Sequence, residues 1–257
     1  MMKVLAFYNI KGGVGKTTAA VNVAYAAGRD GFETLLCDLD AQGSASFYLK
    51  VKAKGPKAKN LTSGGKKIED RIRGTNYARL HILPSHLSYR NLAVELSEKK
   101  KSGSRIKSSL KRVGKGYDLL IIDSPASLDL EAENIFRMAD IILIPIIPTT
   151  LSVNSYTLIR DFFEKKGLDT FKIRLFFALA DLRKKMHQST IEEIKSSSPE
   201  FFHTVIPYSS AVEKMGLYRE PLLARSRKIK AALAYEDLWT EIREAAGLMT
   251  APTPPLR

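Results

Sequence analysis

Residues 9–18 read Asn-Ile-Lys-Gly-Gly-Val-Gly-Lys-Thr-Thr, with an apolar run before them (residues 4–8) and a run of helix formers after them (residues 19–27). Strand, glycine loop and helix together make a setting that can hold a phosphate chain. Glycines let successive backbone N–H groups turn inward, and the helix N-terminus adds the positive end of its dipole. In such a loop Gly12, Gly13, Val14, Gly15, Lys16, Thr17 and Thr18 surround the phosphates. Lys16 reaches the β- and γ-phosphates, and the Thr17 hydroxyl is placed to ligate Mg²⁺. The chemistry this serves is holding the phosphates of a nucleotide with Mg²⁺. The common pattern G-x-x-x-x-G-K-[ST] has a glycine where this chain has Ile10, and a second lysine, Lys11, follows at once.

Two further apolar runs end in carboxylates. Residues 33–38, Glu-Thr-Leu-Leu-Cys-Asp, read as a short strand that continues into Leu39 and Asp40. Extended alternation puts Asp38 and Asp40 on one side, at the carboxyl end of a strand, where open α/β sheets bind ligands. Residues 117–125, Tyr-Asp-Leu-Leu-Ile-Ile-Asp-Ser-Pro, read as a buried strand that delivers Asp123 to the same rim. A carboxylate so placed holds Mg²⁺, usually through water.

The run Lys-Gly-Gly-Val-Gly-Lys-Thr-Thr resembles the deviant Walker A box of the ParA/MinD family of ATPases, and residues 117–125 resemble its Walker B strand. Asp40-Ala-Gln-Gly resembles that family's Asp-Pro-Gln-Gly, with Ala41 for proline, and Ser124-Pro125-Ala126-Ser127 departs modestly from its Pro-Pro-Ser. The resemblance implies that Lys11 crosses a face-to-face dimer to the partner's nucleotide and that Asp40 positions the attacking water. It also implies that Asp38 supports the metal that Thr17 and Asp123 hold. The turn at Asp181 and the strand end at Pro207 would contact the base. By region, Lys184, Arg219, Arg225, Arg227, Lys228 and Lys230 would bind duplex DNA without reading its sequence.

The chain has 257 residues, ordinary hydrophobic content (44%) and a single cysteine, Cys37, which excludes an internal disulfide and reads as a buried thiol. Its net charge of +14 is unevenly spread: residues 50–115 carry 19 Lys and Arg against 4 Asp and Glu, while the remainder nets −1. A local excess of this size suits a polyanion. No apolar run approaches the ~20 residues a spanning helix needs, and residues 248–257, rich in proline, cannot form the amphipathic anchor of a membrane switch.

Apolar runs that do not alternate suit a parallel sheet covered on both faces. We therefore expect an α/β fold, a doubly wound, mostly parallel sheet flanked by helices, in one domain over residues 1–247 with a frayed tail. Strands are expected at residues 80–83, 140–145, 173–179 and 206–207, a mobile loop over 50–67 and a short helix over 68–73. A cationic amphipathic helix should carry Ile106, Leu110 and Val113. A last helix, 233–246, should turn Leu233, Leu238, Trp239 and Ile242 to the core. The first strand begins at about residue 3, which leaves no room before it for a helix-turn-helix domain.

Functionally, the expectation is a cytoplasmic, nucleoid-associated partition or positioning ATPase that needs ATP and Mg²⁺. It would be a homodimer when ATP-bound, with no membrane anchor, released from DNA when a ParB-like or cargo adaptor stimulates hydrolysis. The alternatives are a MinD-like membrane switch and a regulatory ATPase of a secretion or assembly apparatus. An iron–sulfur carrier would need more than one cysteine.

Overall fold

Short apolar segments recur along the chain, and none of them can bury its backbone polar groups without a partner strand. They pair. The structure, a computed structural model, describes residues 2–63, 66–99, 104–114 and 116–248. The first half holds β1 (Lys3–Phe7), α1 (Lys16–Arg29), β2 (Thr34–Asp38), α2 (Ser44–Tyr48), α3 (Ala58–Ser63), α4 (Lys66–Glu69), β3 (Arg73–Gly74) and β4 (Leu80–Leu83). Then come α5 (Leu92–Ser97), α6 (Arg105–Val113), β5 (Leu119–Asp123), α7 (Leu130–Met138), β6 (Ile141–Ile146), α8 (Thr150–Lys165), β7 (Ile173–Ala180), α9 (Lys185–Ser197) and β8 (Phe201–Pro207). Three single turns, α10 (Ser210–Glu213), α11 (Met215–Tyr218) and α12 (Leu222–Arg225), lead into α13 (Lys230–Ala245).

The eight strands form one sheet in the order β3-β4-β2-β5-β1-β6-β7-β8, parallel except for β3 against β4. Successive residues of β1 alternate between two cores. Leu5 and Phe7 join the layer of α1 and α13, while Val4, Ala6 and Tyr8 join the layer of α5 to α8. Both faces are dry, which is why these strands read as unbroken apolar runs. Pro145 fits inside β6 because β1 pairs only with Ile141, Ile142 and Leu143; beyond that point the Asn9 amide, not a strand, donates to the Pro145 carbonyl (2.8 Å). At the other margin, the Glu241 carboxylate of α13 accepts from the backbone N–H groups of His203 (2.7 Å) and Thr204 (2.8 Å) of β8.

Several local expectations are corrected. Residues 50–67 are not a featureless loop: α3 buries Ala58, Leu61 and Thr62 against α5 and α6. The Ser88 hydroxyl caps it by accepting from the Ala58 N–H (2.9 Å), a partner thirty residues away. The expected helix over 68–73 ends at Glu69, and Arg73 and Gly74 pair with Ile82 and His81. Gly28 does not stop α1. A Cβ there would lie 3.0 Å from the Ala78 carbonyl, so the glycine permits close packing, and the turn falls to Gly31 at φ +98°. β8 runs seven residues, not two. Leu233 is 50% exposed, whereas Leu238, Trp239 and Ile242 are buried; at nine residues from Ile242, Leu233 falls on the opposite side of α13. The expected tail beyond Leu248, and Lys100, Lys101 and Lys115 of the basic stretch, lie outside the described residues.

Candidate functional site

The carboxyl ends of β1, β2 and β5 form one rim. Phe7 stands opposite Asp123, and Asp123 opposite Asp38. The loop after β1 takes the left-handed conformation at Gly13 (φ +72°) and Gly15 (φ +94°), which only glycine adopts without strain. A Cβ at Gly12 or Gly13 would meet nothing within 4 Å, so the loop's inner side is open. Gly15 is the N-cap of α1, where no side chain caps the helix and no acidic residue occupies the first turn. The first-turn N–H groups are left for an anion. The Thr18 hydroxyl donates to the Gly15 carbonyl (3.0 Å), while Val14 is buried and holds the loop down.

Lys16 is 7% exposed, and its ammonium donates to the Lys11 carbonyl (2.9 Å). Burial lowers its pKa, and Asp123 and Asp40 pull in the opposite direction. The Lys11 ammonium is itself held within the chain, donating to the Leu151 carbonyl at the start of α8 (2.5 Å). The Asn9 carboxamide oxygen accepts from the Lys11 N–H (2.9 Å) and fixes the turn between them.

Asp38 and Asp123 are both fully buried. Asp38 Oδ2 accepts from the Ser46 N–H (2.8 Å) and hydroxyl (2.6 Å), whereas Asp38 Oδ1 and both oxygens of Asp123 have no hydrogen-bond partner. Burial pushes Asp38 up to about 6 against the pull of Ser46. Asp123 is raised further, by burial first and then by Asp38, with Thr17 and Lys16 opposing. Orphaned buried carboxylate oxygens beside a helix N-terminal hydroxyl are what a hard divalent cation satisfies. Thr17, Asp123 and the free oxygen of Asp38 therefore fit Mg²⁺, completed by phosphate and water. Asp40 is half-buried; its Oδ1 accepts from the Gln42 N–H (2.9 Å), and its carbonyl accepts from the Ser85 hydroxyl (2.5 Å).

Asp181 and Pro207 come together on the same rim, since Ala180 pairs with Pro207 and the Tyr208 N–H donates to the Ala180 carbonyl (3.0 Å). Gly15 packs toward Ala178 of β7, so this corner adjoins the phosphate loop. The Asp181 carboxylate pairs with Arg183 (2.8 Å), which lowers it to about 2, while its N–H donates to His187 Nδ1 (3.1 Å). Lys184 belongs to this turn, donating its N–H to the Asp181 carbonyl, and not to the C-terminal basic cluster.

That cluster is partly committed within the chain. The Arg219 guanidinium lies over the Phe47 ring (4.5 Å) and donates to the Phe47 carbonyl (3.0 Å). Arg225 pairs with Glu220 (2.8 Å) over the Tyr218 ring (3.5 Å), and Arg227 donates to the Tyr25 hydroxyl (3.2 Å). Lys228 and Lys230 are exposed. Sequence reasoning missed Ser46, whose role is set by the fold. It also missed Glu131 of α7, 4% exposed, with Oε1 unpartnered and its pKa pushed up to about 9 by burial, then by Asp129 and Asp40. An acid in the first turn of α7 carried no other mark.

A family described as AAA domain matches residues 2–168. The chromosome-partitioning ATPase Soj of Treponema pallidum is 30% identical over 94% of this chain and 97% of its own. The chain belongs to the ParA/MinD family of P-loop ATPases. Its fold is that of other family members: a putative plasmid partition protein of Borrelia burgdorferi bound to AMPPNP (TM-score 0.82, 22% identity, 95% of this chain and 99% of that one). The septum site-determining protein MinD of Pyrococcus horikoshii, solved with Mg-ADP, superposes with TM-score 0.78 at 22% identity over 96% and 98%. Among the described residues no helix is long and apolar enough to cross a membrane.

Proposed function

We propose that this ParA/MinD-type ATPase is a partition or positioning ATPase that binds and hydrolyses ATP with Mg²⁺ and closes into a dimer around it. In that state it holds non-specific duplex DNA, and it lets go when a ParB-like or cargo adaptor speeds hydrolysis. The observation that carries this reading is the rim itself, where a left-handed glycine loop and an uncapped helix face two buried carboxylates with orphaned oxygens. The partition ATPase relative adds support.

The first-turn N–H groups of α1 and the Lys16 ammonium bind the phosphates and fix the γ-phosphoryl group in line with its attacker. Before ATP arrives Lys16 is parked on the Lys11 carbonyl. ATP exchanges that neutral acceptor for a charged one, a stronger hydrogen bond. Thr17, Asp123 and the free oxygen of Asp38 would hold Mg²⁺, which would supply charge neutralisation for the transferred phosphoryl group. Asp40 orients the water, with one carboxylate oxygen held by the Gln42 N–H. Lys11 leaves the Leu151 carbonyl and crosses to the second subunit, so dimer closure and nucleotide state are read by one side chain.

Retention of random-sequence duplex DNA with ATP, with ADP and without nucleotide, across a salt series, tests the reading. We expect retention with ATP only, falling linearly with log salt. Binding indifferent to nucleotide overturns the gating, and no binding in any state overturns the DNA-tethered function.

A further inference from the structure

Four cations outside the nucleotide rim and the C-terminal cluster converge on one groove. Two adjoining hollows of about 280 and 510 Å³ share Lys57, Asn60 and Arg71. Lys54 and His86 complete the inner one, and Arg73 and Asp70 the outer. Lys54, Lys57, Arg71 and Arg73 are all exposed, and among the described residues none of them forms an ion pair. Among the described residues that line the two hollows Asp70 is the one acid, so the groove keeps a net positive charge. His86 is lowered by burial and then by Lys57 and Arg71, the same crowding seen from a titratable neighbour. Like charges gathered this closely repel one another, and an anion relieves the cost.

The groove is built rather than draped. Its floor, Gly55 and Pro56, is buried, and the Gly55 N–H donates to the Ser85 carbonyl (2.9 Å). A Cβ at Gly55 would fall 1.8 Å from the Pro84 carbonyl oxygen, so the backbone there rests directly on backbone. The Arg73 guanidinium is aimed by bonds to the carbonyls of Asp70 and Ile72 (both 2.8 Å). From the groove, exposed Lys52 and Lys50 lead back to Phe47, the ring that carries Arg219. On the other side Arg227 touches Tyr25, which packs edge-on against Tyr77 (5.1 Å) in the segment entering β4. Residues 47–57 thus run between the two basic regions, from the layer of α1 and α13 to that of α3, α5 and α6.

We propose that the groove of Lys54, Lys57, Arg71 and Arg73 binds phosphodiester groups and extends the C-terminal cluster into a single track for the backbone of duplex DNA. Its cations line a recess with Asn60 and His86, and no large exposed apolar side chain lines it, which suits projecting phosphates rather than a bilayer. Arginine forks match phosphate oxygens in pairs. The inference rests on the DNA-binding reading above and adds where the backbone runs.

The test uses the full chain with ATP and Mg²⁺, comparing wild type with Lys57→Gln/Arg71→Gln and with the charge-preserving Lys57→Arg/Arg71→Lys. Removing two phosphate contacts makes the slope of log affinity against log salt shallower by about 1.8 and weakens binding roughly 10–100-fold near 0.1 M salt. The charge-preserving pair should retain most of the affinity, and ATP hydrolysis without DNA should be unchanged in both. Wild-type retention with an unchanged salt slope in the Gln pair overturns the groove and leaves the DNA reading standing. No retention of wild type overturns both. If the Gln pair instead loses binding to phosphatidylglycerol vesicles and keeps DNA, the groove serves lipid and the assignment is wrong.

Discussion

Replacing Asp123 by asparagine should make the nucleotide-free chain more stable while removing its response to Mg-ATP. Asp123 and Asp38 end neighbouring strands with three of their four oxygens unpartnered. The rise of Asp38 from 3.8 to about 6 corresponds to about 3 kcal/mol of unfavourable charging at neutral pH. Asp123 is raised as well, by burial first and then by Asp38, so its charge is unfavourable in the nucleotide-free fold too. An asparagine removes the charge and leaves an unpartnered amide, which returns about 1 kcal/mol. The net change is a gain, which should raise the melting temperature by about 2–4 °C for each kcal/mol. Mg-ATP at 100 times its dissociation constant stabilises wild type by about 2.7 kcal/mol, and the variant by much less. The pH dependence carries the sign. Between 3.8 and about 6 for Asp38, and higher for Asp123, the folded state keeps protons that the unfolded chain releases. Wild-type stability therefore falls as pH rises through that window, and the variant's profile is flatter. Thermal unfolding followed by circular dichroism, at several pH values with and without Mg-ATP, measures all three effects. An Asp123→Asn protein that melts at or below wild type without nucleotide, with an unflattened profile, would refute the reasoning.

Glu131→Gln should flatten stability between about pH 4.5 and 9 and raise it by a few kcal/mol at pH 8, because the buried acid keeps its proton only when folded; urea midpoints across pH check it, and an unchanged slope contradicts it. Lys11→Ala should change stability by no more than about 0.5 kcal/mol, since its amine holds only an exposed carbonyl. It should nonetheless abolish ATP-dependent dimers in sedimentation velocity, and dimers that persist rule out the trans role. Asn22→Ala should cost about 1–3 kcal/mol. The buried amide donates to the Thr18 carbonyl (2.7 Å) and accepts from the Leu223 N–H (3.1 Å), tying α12 to α1, so DNA retention should weaken with it.

The phosphate loop and the strand-end carboxylates were legible because their chemistry is local. Glycines with a lysine and threonine need only a strand before and a helix after, and apolar runs of five residues announce a sheet dry on both faces. What escaped depends on partners far along the chain. α3 looked like a lysine-rich loop because its cap, Ser88, lies thirty residues away. Ser46 shows nothing in sequence until β2 and α2 fold its hydroxyl onto Asp38. Leu233 is apolar but off the helical period of Leu238, Trp239 and Ile242, so it faces away from the core they enter. The basic excess of residues 50–115 was plain as a number, yet its shape was not. Only the packing of residues 53–57 beneath Pro84 and Ser85 turns scattered lysines into a groove.

The treatment of the sheet's margins has a consequence for how copies of this chain meet at high concentration. An open strand edge is a template on which another copy can add a strand, and crowding favours such growth. Here one margin, β3, is two residues long, too short to seed pairing. At the other, Glu241 occupies two successive donors of β8 and sets a negative charge where an incoming strand would lie. Among the described residues each margin is thus short or partly held from within the chain, which disfavours edge-to-edge fusion of copies.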